Sequence, residues 1–593
     1  KVWKSFVLLI NKEYDSYLGL ALCKLCNSVI KHDRKSGTTK LKQHMLSCVE
    51  IKMTSFANSL NKVPAVFKQK IEEAALKFVS VDMHPFSAIE GKGLQSLITS
   101  CMELTAKHGI FSSEDILPSG DTLKRHADAK AKTIKKVTVE QMKEAIKEYG
   151  NISVTTDMWT DMKSCQFLSL TAHFMLNGRL TSQVLTVSEV TDGKTSPENI
   201  RKAVESIFTK LGFSIQEFAS HVYFVTSNEA NIKNALMPFC RIPCSCHMLA
   251  TVAQHTLQLQ SSSQISDFPP NEPFGGLIKT TVVAVKKLAA YFKKSGLNLK
   301  LNTSIQQSNE TGWNSIYTML ESVLNNKSDI ISILISDGLE ERFDGIDWRV
   351  VETLVHFLKP FLEIYQTLEI GKYPTIQSVF LCYSTLERNF ITSPTDTGII
   401  KCLKNRGRIC LKEKFEITDI HYVGFFLNPK FKYLIPFTTE EKKRIQKLVK
   451  DLVTHFLHGQ NEPTRSHVDY AYDQPAMKKK RNCVEDNFLD WQEKQPAVHT
   501  HDEVELYIRT TFDDSYIERF QTDERFNILK FWNSKTVRTE FPNLSRVALG
   551  VLSIPASSVD GERAFSFCGN RSRLSDSTLE SLIVLNTAEN NCI

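Results

Sequence analysis

The sequence predicts a mixed α/β core that is interrupted by a large all-helical segment, with a small metal-binding module at the amino end. Three observations support this prediction: a Cys/His spacing within residues 1–50, strand-like runs from residue 152 onward, and helical periodicity over residues 248–458. At 593 residues the chain is also too long for one hydrophobic core, so several modules are expected.

The composition is that of a globular protein. Hydrophobic residues make up 42% of the chain and charged residues 23%, which excludes wholesale disorder. The sequence has no run approaching the roughly 18 apolar residues that a membrane helix needs, so we expect no membrane partner. The net charge of +7 is mildly basic, so a nucleic-acid partner has to be argued from local clusters.

Residues 1–50 carry a zinc-finger spacing. A Cys-x-x-Cys pair precedes a His-x-x-x-Cys pair, and ligands at this spacing converge on one tetrahedral Zn²⁺. Because protein ligands would fill all four positions, the zinc is expected to fold the module and not to perform hydrolysis. The alternative is two unrelated buried cysteines beside a surface histidine. The four predicted ligands are Cys23, Cys26, His44 and Cys48.

Cationic and small hydroxyl side chains come just before the predicted histidine ligand. They lie where the start of a helix would face phosphates and base edges. A solvated basic face remains the alternative. The predicted DNA-contacting residues are Lys35, Thr38, Thr39, Lys40 and Lys42.

The next two segments predict a helical region and then the first part of the core. Helical periodicity covers residues 65–147, and the pattern changes to short strands in residues 148–247. Asn177-Gly178 is a hairpin-turn dipeptide, and a helix is expected over 197–211. The predicted strands are 152–157, 167–175, 180–190, 222–226 and a further one that ends near Cys246.

The rest of the chain predicts three more parts. Residues 248–458 are expected to form a helical insertion, and residues 459–500 a flexible linker. The basic run 478–481 in this linker is a candidate nuclear import signal. Residues 501–593 are expected to hold the last part of the core and C-terminal helices, with strong helical segments at 544–552 and 579–585.

Two Lys-rich helical stretches would suit contacts with DNA phosphates. A solvated helix face is the more usual meaning of such runs. The first stretch contains Lys124, Arg125, Lys130, Lys132, Lys135 and Lys136, and the second contains Lys286, Lys287, Lys293 and Lys294.

Five motifs follow one another along the chain: the finger with Trp3, HPFS at 84–87, TDMWTD at 156–161, CSCH at 244–247, and IPASSVDGERAFS at 554–566. In this order they resemble the hAT superfamily of DNA transposases, most closely its hobo and Hermes branch. The resemblance implies a BED-type zinc finger, a dimerising or DNA-binding helical region over 65–147, and a ribonuclease-H-like core split by the helical insertion. Residues 501–593 would then include C-terminal dimerisation helices.

The resemblance also implies metal-dependent phosphoryl transfer on DNA. In such cores three carboxylates hold two Mg²⁺ or Mn²⁺ ions. Asp157 matches the first family acid and Glu562 the last, whereas the position of the middle acid is occupied by Ser227. A neutral hydroxyl cannot replace a carboxylate on Mg²⁺. Taken alone, Asp157 could be a helix N-cap and Glu562 a solvated helix residue.

Three more residues, Glu229, Trp313 and His247, bear on the predicted site. Glu229 lies two residues beyond Ser227, but Thr226-x-x-Glu229 is also a helix capping box, which is the favoured interpretation. The resemblance implies that Trp313 and His247 lie beside the DNA end, with packing in the core as the alternative for each.

The sequence therefore predicts a hAT-family transposase or transposase-derived protein, nuclear and self-associating as a homodimer or higher oligomer. Its expected partner is DNA carrying terminal inverted repeats or related sites, and its catalysis is expected to be impaired at Ser227. The alternative is a domesticated DNA-binding transcription or chromatin regulator without nuclease activity. A third hypothesis, a still-active transposase, requires Glu229 or Asp161 to reach the metals.

Overall fold

A computed structural model describes residues 6–11, 16–24, 28–32, 38–44, 65–160, 166–190, 196–257, 274–308, 313–371, 373–459, 502–522, 525–559 and 575–591. The chain divides into two compact units, Lys1–Pro118 and Ser119–Ile593. Among the described helices, none is long and apolar enough to span a lipid bilayer.

The first unit begins with a three-stranded antiparallel sheet in the order β1-β2-β3. The strands are β1 Phe6–Asn11, β2 Ser16–Cys23 and β3 Val29–Lys31. Residues 39–44 are helical. This helical stretch packs on the sheet through a small core of Phe6, Ala21, Cys23 and Leu41.

Three helices complete the first unit: α1 Ala65–Val81, α2 Lys92–His108 and α3 Ser113–Ile116, with a 3₁₀ turn at Phe86–Glu90. Gly109 ends α2 with φ of 92°, a conformation that favours glycine. The helices expected from residue 65 onward are therefore present. The boundary between the two units falls within the 65–147 region, because residues 120–149 belong to the second unit.

The second unit opens with α4, Gly120–Tyr149, whose N-cap Ser119 accepts a hydrogen bond from the backbone N–H of Thr122. Gly150, in the left-handed conformation, ends this helix. Its residues Met142, Ala145 and Tyr149 join the main hydrophobic core. The long Lys-rich helix is therefore anchored at its C-terminal end.

A five-stranded sheet forms the centre of the second unit, in the order β6-β5-β4-β7-β8. Strands β4, β5 and β6 are antiparallel neighbours, whereas β7 and β8 run parallel to β4. The strands are β4 Ile152–Thr160, β5 Gln166–Leu176, β6 Arg179–Glu189, β7 Val222–Thr226 and β8 Cys240–Pro243. This arrangement confirms the predicted mixed α/β core.

The connections of the sheet follow from local sequence. Asn177 and Gly178 both have positive φ, 50° and 73°, as the predicted two-residue hairpin turn requires. Helices α5 (Pro197–Lys210) and α6 (Ile215–His221) lead from β6 to the parallel strand β7. Helix α7 (Ala230–Ala235) connects β7 to β8.

Two predicted strand ends were wrong. The last core strand stops at Pro243 and does not reach Cys246, because Ser245–Thr256 forms helix α8 and proline cannot extend a β ladder. Strand β4 continues past Asp157 to Thr160, since its pairing with β5 extends to that residue.

All elements from α8 to the end of the insertion are helical in the described residues, as predicted. They are α9 Gly275–Ser295, α10 Trp313–Asn325, α11 Lys327–Ser336, α12 Trp348–Leu368, α13 Val379–Asn389, α14 Gly398–Lys414, α15 Asp419–Phe426 and α16 Thr439–Gly459. Short 3₁₀ helices lie at Leu297–Lys300, Glu340–Phe343 and Ile376–Ser378. The predicted linker with its basic run 478–481 lies outside the described residues beyond 459.

The C-terminal part returns to the sheet. Its elements are α17 Glu503–Arg509, α18 Asp514–Glu518, β9 Gln521–Thr522, β10 Arg525–Phe526, α19 Ile528–Asn533, α20 Lys535–Glu540, α21 Pro542–Leu552 and α22 Asp576–Asn591. Helix α22 packs on α4 and on β6, where Glu580 accepts from Lys135 at 2.7 Å and from Thr186 at 2.5 Å. The two predicted C-terminal helical segments are thus confirmed.

A buried lysine joins the helical insertion to the C-terminal part. Lys432 is 1% exposed, and its ammonium donates to the carbonyls of Tyr507 at 2.6 Å, Ile508 at 3.3 Å and Thr510. These carbonyls lie at the C-terminal end of α17, where the helix dipole favours a cation. Burial lowers the pKa of Lys432 to about 8.

Candidate active site at the ends of the core strands

Buried polar side chains form a row on one face of the sheet. Side chains alternate along a strand, so residues that pair directly across two strands share a face. The row consists of Ser153 opposite His173, Thr155 opposite Thr171, and Asp157 opposite Ser169. His173 bridges two hydroxyls, since its Nε2 lies 2.9 Å from Oγ1 of Thr155 and its Nδ1 lies 2.8 Å from Oγ of Ser182.

Asp157 is the acid of this row. Its side chain is 7% exposed, and its Oδ1 accepts a hydrogen bond from the N–H of Met158 at 2.9 Å. The residue lies within strand β4, so the alternative of an ordinary helix N-cap is wrong. A buried carboxylate is costly unless hydrogen bonds or cations compensate it, which makes Asp157 a candidate site residue.

Ser227 directly follows β7, the parallel neighbour of the strand that carries Asp157. Thr156 of β4 pairs with Thr226, the last residue of β7, and Asp157 and Ser227 each come one position later. Neighbouring strands are about 4.8 Å apart, so the two side chains share one end of the sheet. Ser227 is 3% exposed, and its Oγ has no hydrogen-bond partner within the described part of the chain. A buried unpaired hydroxyl therefore stands where the resemblance requires an acid.

Arg241 on β8 holds the turn that presents Ser227. Its Nε donates to Oγ1 of Thr226 and its Nη2 to the carbonyl of Ser227, both at 2.8 Å, and Nη2 also bonds Oδ1 of Asn228. Burial lowers the pKa of the guanidinium. No sequence motif pointed to Arg241, because its role depends on the pairing of β7 with β8.

The predicted capping box at Thr226-x-x-Glu229 was wrong. Glu229 is itself the N-cap of α7 and makes no side-chain cap bond, and it is exposed. Thr226 ends strand β7, and its hydroxyl donates to the carbonyl of Ser227 at 2.9 Å. The hydroxyl is thus engaged in the turn after β7 and does not cap the helix.

Cys244 and His247 lie at the same end of the sheet. The N–H of Cys244 donates to the carbonyl of Thr226 at 2.7 Å, which fixes the start of α8 beside the end of β7. Burial opposes ionisation of Cys244, but the charge of His247 and hydrogen bonds from His247 and Ser558 lower the pKa of this thiol to about 6. His247 is therefore close to the strand ends, and its contact with a DNA end stays a prediction.

The segment before Glu562 reaches this corner. The N–H of Ser558 donates to Sγ of Cys244 at 3.3 Å, and the N–H of Ser245 donates to the carbonyl of Ala556 at 2.8 Å. From the insertion side, Oγ1 of Thr375 accepts from the N–H of Ala556 at 2.9 Å. Glu562 itself lies outside the described residues, which end at 559 before this gap.

The structure describes half of the predicted zinc ligands. Cys23 ends β2, is fully buried, and donates its N–H to the carbonyl of Ser28 at 2.9 Å. His44 belongs to the helical stretch 39–44, and its ring lies 6.0 Å from that of Phe6. Cys26 and Cys48 are outside the described residues. Over the described ranges, no group of three or more His, Cys, Asp or Glu residues is arranged to hold a metal.

The remaining predicted contacts are described in part. Of the finger residues, Thr39, Lys40 and Lys42 are exposed and Thr38 is partly exposed. Lys35 lies outside the described residues. Trp313 begins helix α10, and its side chain is likewise outside the described part.

Comparison with known proteins places these observations in a family. Residues 509–588 match the hAT family C-terminal dimerisation region, and residues 57–122 match the Hermes transposase DNA-binding domain. The Hobo transposase of Drosophila melanogaster is 26% identical over 95% of this chain and 88% of its own length. The chain is a hAT-superfamily, transposase-like protein. It carries a DNA-binding domain and a dimerisation region, as predicted.

Other relatives of this hAT protein fall into two kinds. The putative AC transposase of Zea mays is 22% identical over 98% of the chain and 75% of its own length. Zinc finger protein 618 of Homo sapiens is 23% identical over 85% of the chain and 49% of its own length. The hAT protein is thus similar both to transposases and to a protein named for its zinc finger.

Proposed function

We propose that this hAT protein is a nuclear DNA-binding dimer descended from a cut-and-paste transposase, and that its strand-cleaving site is silent because Ser227 replaces an acid. The observation that carries the proposal is the pairing of Thr156 with Thr226, the two residues that directly precede Asp157 and Ser227. The DNA bound is proposed to carry terminal inverted repeats or related sites.

The strand order supports a ribonuclease-H-like core. Three antiparallel strands continue into two parallel ones, and the acid lies on the central strand β4. The helical insertion separates this sheet from the C-terminal part, whose segment 554–559 contacts Cys244 and Ser245. In this proposal Glu562, three residues further on, reaches the same strand ends.

The amino-terminal sheet supports a BED-type zinc finger. Cys23 and Leu41 share one small core, which brings the helical stretch carrying His44 against the end of β2. Zinc bound by Cys23, Cys26, His44 and Cys48 would cross-link the strand end to this helix and so fold the module. Thr38, Thr39, Lys40 and Lys42 would then be presented to DNA on the same helical stretch.

The donor set at the strand ends does not suit a pair of divalent ions. Such ions would activate the attacking oxygen and stabilise the leaving oxygen when three carboxylates hold them. Within the described residues of this corner, Asp157 supplies the carboxylate and Ser227 supplies a neutral hydroxyl, which hard cations bind weakly. We therefore assign Arg241 a positioning role, since it holds the turn that carries Ser227, and derive no cleavage step.

A strand-cleavage assay tests this proposal. Labelled DNA with the matching terminal repeats is incubated with the full chain and Mg²⁺ or Mn²⁺. The native chain is expected to leave the DNA intact, and Ser227→Asp to nick it at the repeat end. Adding Glu562→Gln to Ser227→Asp should abolish the nicking. Cleavage by the native chain that Glu562→Gln abolishes would contradict the proposal.

A second candidate is a domesticated regulator that uses its finger and dimerisation region while the core serves as a scaffold. The similarity to zinc finger protein 618 favours it. The same assay separates the two candidates. Ser227→Asp chains that bind the repeats but never nick them would support the regulator, because the added acid alone would then be insufficient for strand cleavage.

A further inference from the structure

A cleft of about 470 Å³ lies in the helical insertion, between α9 and the turn at Glu340–Phe343. Its apolar lining includes Val283, which is 40% exposed, together with Ala284 and Leu288. Three cationic side chains also line it. They are Lys279, Lys287 and Arg342.

Helix α9 carries only positively charged side chains among its ionised residues. Its sequence contains lysines at 279, 286, 287, 293 and 294 and no acidic residue. In the part of the chain that the structure describes, none of the five forms an ion pair. The sequence predicts a phosphate track that contains Lys287 but not Lys279, whereas the structure places both lysines in the cleft.

Arg342 is held in a fixed position at this cleft. Its guanidinium carbon lies 4.4 Å from the centre of the Tyr291 ring, a cation–π contact. Its Nε lies 3.6 Å from a carboxylate oxygen of Glu341, but both side chains are about half exposed, so this pair is weak. Asp344 also lines the cleft, which therefore has three cations and two carboxylates on its walls.

We infer that this cleft binds the sugar-phosphate backbone of DNA, an inference that rests on the proposed DNA-binding function. Lys279 and Lys287 are eight residues apart, about 12 Å along the helix at 1.5 Å per residue. One DNA strand carries a charge about every 3.4 Å along the axis, so the two lysines span several phosphates. Val283, between them on the same face, offers an apolar surface to a deoxyribose.

The salt dependence of DNA binding tests this inference. Duplex DNA is titrated with the full chain at several salt concentrations, and log K is plotted against log[salt]. For Lys279→Gln/Lys287→Gln the slope is expected to become shallower by about 2, since each lost phosphate contact removes roughly 0.9. Lys279→Arg/Lys287→Arg should keep the native slope. Val283→Glu, which adds a carboxylate to the cleft, should weaken binding several-fold.

A matched control is Lys442→Gln/Lys443→Gln on α16, which removes the same charge away from the cleft. This variant should keep the native slope. If Lys279→Gln/Lys287→Gln also keeps the native slope and Val283→Glu binds DNA normally, the cleft does not bind DNA. The inference is then overturned while the proposed function stands. If the native chain binds no DNA, both are overturned.

Discussion

Asp157 and Ser227 directly follow Thr156 and Thr226, which are paired across the parallel strands β4 and β7. One residue is a buried carboxylate, and the other is a buried hydroxyl that has no partner within the described residues. Arg241 fixes the turn that carries Ser227. In the proposed function this corner derives from a site with two acids, and Ser227 stands in place of one of them.

Restoring the acid should destabilise the protein in the absence of metal. Two carboxylates about 5 Å apart repel each other by about 3 kcal/mol at an effective dielectric constant of 20. We expect Ser227→Asp to unfold at lower denaturant concentration than the native chain at pH 7.5 in chelator. Ser227→Asn, of similar size but neutral, should lose less stability. Equal stability of the Asp and Asn variants would place residue 227 away from Asp157.

Lys432 should contribute more to stability than its neighbour Lys430. Lys432→Ala leaves carbonyls of Tyr507, Ile508 and Thr510 without their donor, which is expected to cost roughly 2–4 kcal/mol in urea unfolding. Lys430 is exposed and contacts the Phe526 ring at 5.3 Å, so Lys430→Ala should cost less than about 1 kcal/mol. Similar losses for the two variants would show that the buried ammonium does not join the insertion to the C-terminal part.

Cys244 should make stability depend on pH. The folded protein holds the pKa of this thiol at about 6, below its ordinary value of 9. Between pH 6 and 9 the unfolded chain therefore binds more protons than the folded chain, and the free energy of unfolding rises with pH. The stability that the Cys244 thiolate contributes is lost as the pH falls from 9 to 6. Each pKa unit is worth about 1.4 kcal/mol. Cys244→Ser should flatten the rise of unfolding free energy across this range.

Substitutions at His247 and Cys410 provide the comparisons for the pH experiment. His247 and Arg241 both interact with the thiolate, and His247→Gln removes the cation that lowers its pKa. We expect His247→Gln to flatten the pH dependence as well, whereas Cys410→Ser, at a buried thiol whose pKa is raised to about 11, should not. If Cys244→Ser keeps the pH dependence of unfolding seen in the native chain, other titrating groups cause that dependence.

The zinc content of the protein should depend on the four predicted finger ligands. We expect one Zn²⁺ per chain, measured by release to a chromophoric chelator, and none in Cys23→Ser. Cys101→Ser, at a partly exposed cysteine on α2, should keep the zinc. Loss of zinc should also weaken DNA binding, because it would unfold the stretch that carries the proposed contact residues Lys40 and Lys42. Full zinc content in Cys23→Ser would exclude this residue as a ligand.

Local pattern predicted much of the fold. The Asn177-Gly178 turn, the strand that carries Asp157 and the long amphipathic helices each depend on residues that are close in sequence. That Ser227 occupies the position of a missing acid stays a prediction of the resemblance. Local pattern failed at Thr226-x-x-Glu229, because Thr226 is held at the end of a strand by Arg241, a residue fifteen positions away.

Features that depend on strand register or on distant helices could not be predicted. Arg241 reaches Ser227 because β8 pairs with β7, and Lys432 reaches α17 across more than seventy residues of sequence. The cleft at Lys279 and Arg342 likewise needs α9 and the turn at Glu340–Phe343 to come together. Residue type alone gives no signal for any of these contacts, since each side chain is an ordinary lysine or arginine in the sequence.

In the proposed function, Ser227 leaves the strand ends unable to hold a divalent ion. The most direct measurement is a calorimetric titration of Mn²⁺ into the metal-stripped, zinc-reloaded full chain. We expect no binding at micromolar affinity for the native chain, and binding for Ser227→Asp that Asp157→Asn abolishes. Micromolar Mn²⁺ binding by the native chain that depends on Asp157 would contradict it.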